Sequence, residues 1–222
     1  MSVEITVQGT FTTYQPPQRA TVRLRVGLEG PKKDAVFAGV STAANTVSSG
    51  LVALLNPSAG PVTWWSSDQL RSWADRPWNS DGKQLPLVFH AAVGFQAKFS
   101  NFEALSEWLA RVVDADGVSV EGIDWALTES SKKELTVQVR SAAVLAAKTK
   151  AAAYAEALGL GEPQALAIAD AGMLGEGLHP TSQHYTASSR SMHAESGTAL
   201  QLAFEPQDVE VSATVDARFT AG

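Results

Sequence analysis

The chain has 222 residues, 45% of them hydrophobic and 18% charged, with a formal net charge of -6 and no cysteine. This is globular composition, too apolar for a disordered chain. The missing cysteines exclude disulfides, thiolate catalysis and cysteine-ligated metals, and an acidic balance with no basic run argues against general affinity for nucleic acid or anionic lipid.

Met1 to Thr10 alternates Val3, Ile5 and Val7 with polar residues, which predicts a strand. The segment lacks the basic start and continuous apolar stretch of a secretory signal, so a cytoplasmic location is expected. No window nears the ~20 continuous apolar residues of a membrane span, and no membrane insertion is expected. After Pro16-Pro17, the residues Ala20, Val22, Leu24, Val26 and Leu28 alternate with Thr21, Arg23, Arg25 and Gly27 as in a half-buried strand.

Pro31 suits the first turn of a helix, and Val36, Val40, Ala43, Val47, Leu51 and Leu54 recur at helical spacing until Asn56-Pro57. Val62 to Trp73 reads as one irregular strand, followed by a loop or long hairpin turn from Asp75 to Pro86. Phe89, Ala91, Val93, Phe95, Ala97 and Phe99 then share one face of a long strand, opposite His90, Gln96 and Lys98.

Ser100 followed by Glu103 has the form of a capping box, and Phe102, Leu105, Leu109 and Val112 make the apolar stripe of a short helix. Val118 and Val120, then Ile123, Trp125 and Leu127, form a strand whose phase slips at Glu121-Gly122, as a bulge would cause. An alanine-rich helix follows and ends at Gly159-Leu160-Gly161; side chains this short allow unusually close approach to a sheet, while Lys148, Lys150 and Glu156 stay in water. A strand from Gln164 to Asp170 precedes a Gly-, Ser-, Thr- and His-rich stretch, read as a long mobile loop at about 172–200. Val209, Val211, Ala213, Val215, Ala217 and Phe219 alternate in the closing strand.

The expected order is ββαββαβαββ: an α+β fold of one antiparallel sheet, covered on one face by three helices. If the second and last strands pair, Arg23 and Arg25 oppose Glu210 and Asp216.

Several passages together are similar to the SIMPL-domain family, a bacterial group of unknown function with an animal member that acts in immune signalling. They are Val7-Gln8-Gly9-Thr10 with the Ala20 to Leu28 strand, Ala91 to Phe102, Gly117-Val118 to Leu127, Ala147-Lys148 to Gly161, and Val209 to Val215. The resemblance implies one α+β domain over residues 1–222, self-assembly in at least some relatives, a link to oxidative-stress tolerance, and no established catalysis. Many relatives look exported. Where relatives carry a threonine-bearing strand and a Gly-Tyr pair, this chain has Trp64-Trp65-Ser66-Ser67 and Val88-Phe89.

Candidate chemistry is sparse. His179, His184 and His193, with Glu176 and Glu195, offer zinc-ligand types, but their spacing fits no rigid scaffold and solvated loop side chains are expected. Ser130 and Lys133 satisfy Ser-x-x-Lys, yet they sit at a helix start, where a serine cap is expected. Gly159-Leu160-Gly161 follows a helix, the reverse of a dinucleotide loop. Asp114 with Asp116, and Asp124 with Glu129, read as solvated carboxylates, and His90 as an exposed strand histidine with no orienting group in sight. No catalytic, metal or cofactor residue is assigned.

Trp64, Trp65, Trp73 and Trp78 fall in one otherwise polar stretch. They suit local packing, a self-association surface or a planar-ligand site, and are the candidate interface. The expectation is a non-enzymatic homo-oligomer. The alternative is a small-molecule binder or hydrolase with its pocket under the 172–198 loop.

Overall fold

The computed structural model describes residues 2–80, 82, 84–174 and 205–222. They contain β1 (Val3–Gln15), β2 (Arg19–Gly30), α1 (Lys33–Leu54), β3 (Val62–Ser67), β4 (Arg71–Asp75), β5 (Val88–Phe99), α2 (Phe102–Val113), β6 (Val118–Ala126), α3 (Glu129–Ala157), β7 (Gln164–Asp170) and β8 (Val209–Ala221). The α+β class and the three helices are as expected. The single sheet is corrected to two antiparallel ones, β1-β8-β7 and β3-β5-β2-β6 with β4 also on β5, and they fall in two compact units.

The first unit holds described residues 2–16, 127–174 and 207–222. Its central strand is β8, which pairs with β1 along the whole of both strands, from Val3 opposite Ala221 to Gln15 opposite Val209. Helix α3 packs on β1 and β8 through Val139, Ala143, Ala147, Ala151 and Ala155, all buried and four residues apart. Opposite them stand Ile5, Val7, Val211, Ala213, Val215, Ala217 and Phe219. At Gly9 the backbones nearly touch. A Cβ built there would lie 2.5 Å from the Ala147 nitrogen and 2.8 Å from its Cβ. The helix ends at Gly159, whose φ of 71° only glycine adopts without cost, and the Leu160 N–H returns to the Ala155 carbonyl at 2.9 Å.

The second unit holds described residues 17–126 and 205–206. Its core joins Val22, Leu24 and Val26 of β2 and Val93, Phe95 and Phe99 of β5 to the α1 stripe Val36, Val40, Ala43, Val47 and Leu51 and to Leu105, Trp108, Leu109 and Val112 of α2. Helix α1 has the length and mean hydropathy of a membrane span, but that stripe is buried against the sheet. Pairing moves from Arg23–Gly122 to Leu24–Val120, leaving Glu121 as the extra residue of the anticipated bulge.

Four local expectations change. The Val62 to Trp73 strand is two strands, because pairing with β5 is interrupted between Ser67 and Arg71. The α2 cap is Asn101, whose Oδ1 accepts from the Ala104 N–H at 2.9 Å, while Ser100 Oγ donates to the Gly60 carbonyl. Thr128, not Ser130, caps α3, its hydroxyl oxygen accepting from the Ser131 N–H. Strands β2 and β8 lie in different sheets, so Arg23 pairs instead with Asp124 of β6, and Arg218 Nε lies 3.1 Å from Glu4 Oε1.

Gly9→Val is expected to lower unfolding free energy by at least about 3 kcal/mol, since the added atoms meet helix backbone that cannot yield. Asn101→Ala should cost about 1 kcal/mol, the usual worth of a helix N-cap. Urea midpoints of the two variants and the parent check both.

Candidate functional site

In the five-stranded sheet, alternation sends Val22, Leu24, Val26, Ala91, Val93, Phe95, Ala97 and Phe99 into the core and leaves the opposite face open. Register then arranges that face in rows. Trp64, Lys98, Thr21 and Asp124 form one row, and Ser66, Gln96, Arg23 and Gly122 the next. Gly94, Arg25 and Ser119 follow, then Arg71, Ala92 and Gly27, and finally Trp73, His90 and Glu29.

The last row is the most organised. His90 Nε2 lies 2.8 Å from Asp75 Oδ1, and Nδ1 lies 3.3 Å from Glu29 Oε2. Its ring stacks on Trp73 with centroids 5.1 Å apart and planes 7° from parallel. The His90 side chain keeps only 18% of its exposure, so the reading of an exposed, unoriented histidine is corrected. Sequence reasoning missed Asp75 and Glu29 because they belong to β4 and β2. Only the register places them beside His90, although Glu29 does continue the polar alternation of Arg23 and Arg25. With a carboxylate at each ring nitrogen, neither nitrogen is left to activate a hydroxyl. The cluster orders the β4 edge; it is not assembled as a catalytic base.

The tryptophans separate by face. Trp65 packs against the core of the second unit. Trp64 and Trp73 stand on the open face at 46% and 44% exposure, and Trp78 is 87% exposed. Asp68 sits in the break between β3 and β4, its N–H donating to the Gly94 carbonyl at 2.9 Å. Its carboxylate occupies the space a Cβ on Gly94 would take, 2.6 Å from that position.

The remaining candidates are scattered. Ser130 Oγ lies 3.1 Å from Thr128 Oγ1 at the start of α3, and Lys133, Asp114, Asp116 and Glu129 are exposed. Asp124 is taken by Arg23. His179, His184 and His193, with Glu176 and Glu195 and most of the 172–200 stretch, lie outside the described residues. Among the described residues no three histidine or carboxylate side chains gather as metal ligands. A shallow recess of about 260 Å³ opens beside α1, lined by Ser41, Asn45, Ser48, Ser67, Val93 and Phe95 among others. The hydroxyls of Ser41 and Ser48 are spent on helix carbonyls, Phe37 and Asn45.

The family model SIMPL, described as protein of unknown function (DUF541), matches residues 5–219. No curated protein matches the chain.

Replacing His90 with alanine removes the stack and both carboxylate contacts at once. Amide exchange across 71–75 is expected to speed up several-fold, with global stability changed by about 1 kcal/mol, the scale of one aromatic pair. Hydrogen-exchange mass spectrometry with a parallel thermal melt checks this.

Proposed function

We propose that the chain, which belongs to the SIMPL family by a match over nearly its whole length, is a non-catalytic subunit that assembles with copies of itself. That family is one of unknown function, not a known enzyme family. The observation that carries the reading is the exposure of Trp78 and Trp64 beside the β3–β4 edge. An indole left in water forfeits the largest apolar contribution any side chain offers, and tryptophan is enriched where partners bury it.

Strand edges add a second means of association. Among the described residues β1 pairs with β8 alone, and β7 pairs with β8 alone, so each keeps one row of backbone donors and acceptors unused. Strand β7 presents Leu166 and Ile168, both 56% exposed, and β1 runs thirteen residues with no proline to blunt it. A role in oxidative-stress tolerance is part of the proposal and rests on the family resemblance; the oligomer would be the working form.

Size-exclusion chromatography with light scattering at micromolar concentration tests this. The parent is expected to run as an oligomer, and Trp64→Ser with Trp78→Ser should shift it toward monomer while leaving circular dichroism unchanged. A parent that is monomeric throughout that range would overturn the proposal.

A further inference from the structure

The open face of the five-stranded sheet holds charges that its own neighbours do not neutralise. Arg23 is taken by Asp124, and Glu29 and Asp75 are both engaged by His90. Arg25 and Arg71 are exposed and have no ion-pair partner among the described residues, in a chain whose net charge is -6. The row that begins at Arg71 has minimal side chains, Ala92 opposite Gly27, with Ala92 buried at 9% exposure. Arg71 pairs with Ala92 at one end of this row. At the other end Arg25 lies along Gly27, its Nε 3.5 Å from where a Cβ would stand. The two arginines thus flank a flat strip two strand spacings across, about 10 Å between the Cα atoms of Arg71 and Gly27. The adjacent row supplies an aromatic plate: Trp73 rests one face on His90 and is 44% exposed.

We propose that this strip is a binding site for a small ligand in which a phosphate or carboxylate is joined to a planar ring. The anion sits between the two guanidinium groups, on the solvent side of the Ala92–Gly27 row, and the ring stacks on the free face of Trp73. Arginine suits that task because its planar fork matches the oxygens of a carboxylate or phosphate, and neither of these two forks is held in an ion pair among the described residues. A tryptophan held flat by a second ring loses little conformational freedom when a ligand ring covers it. Asp68, over the neighbouring Gly94, sets a selectivity limit: a second negative group reaching past Arg25 would meet its carboxylate.

The site is independent of the assembly proposal, because Trp78 forms no part of it. The test is isothermal titration of the full chain with adenosine monophosphate and with an indole carboxylic acid, set against inorganic phosphate alone and adenosine alone. At least one ring-bearing anion is expected to bind saturably, and phosphate and adenosine more weakly. Arg25→Ala and Arg71→Ala should each weaken binding about tenfold, the loss of one charge-assisted contact, with circular dichroism unchanged. Trp73→Leu should weaken the ring-bearing ligand and leave phosphate unaffected, and Asp68→Asn should tighten the anion. Absence of binding by both ring-bearing probes at millimolar concentration would overturn the proposal. So would binding that survives both arginine changes, or an oligonucleotide that binds far more tightly than the mononucleotide with a steep salt dependence, which would mark a strand platform instead. Repeating the titration on the combined Trp64→Ser and Trp78→Ser variant separates the two proposals, since a chain that no longer assembles should still bind.

Discussion

The first unit depends on the contact between Gly9 and the backbone of α3. A helix packed on a sheet is normally held off by its side chains, but here four alanines at four-residue spacing face a glycine, and the helix descends until main-chain atoms meet. Close packing of this kind is favourable only if no atom is in surplus, because interiors are dense and yield little. The result is a thin layer of small side chains, with Ile5, Val7, Val139 and Phe219 supplying the larger apolar groups around it.

The second unit solves the same geometric problem with large side chains. Valine, leucine and phenylalanine from β2 and β5 interlock with valine and leucine from α1 and with Trp108 of α2, whose ring packs 5.4 Å from that of Phe99. The two cores therefore differ in grain. The alanine stripe complements a strand that carries glycine, whereas the bulky stripe of α1 needs strands that alternate full-sized apolar residues.

Much of this was legible in the chain. Alternation identified β1, β2, β5 and β8, helical spacing identified α1 and α2, alanine content identified α3, and the phase slip at Glu121-Gly122 located a bulge before any pairing was known. Alternation reports which side of a strand is buried, not which strand lies next to it, so the partition into two sheets was beyond it. The candidate site was hidden for the same reason. Glu29, Asp75 and Trp73 reach His90 from two other strands, and only the pairing register brings the four together. The β3–β4 break was also obscure, since Trp64, Trp65, Leu70 and Trp73 blur the alternation on which a strand is recognised.

The place of β8 in its sheet governs the order in which the molecule can be completed. Among the described residues every strand and helix of the second unit lies between residues 17 and 126, so a ribosome has supplied those elements well before β8 is made. Strand β1 comes first among the described elements, yet its partner is the last of them, and contacts so distant along the chain are slow to close. Throughout synthesis β1 is therefore a ready target for mispairing or for a chaperone. Loss of β8 would deprive both β1 and β7 of their shared neighbour in one stroke.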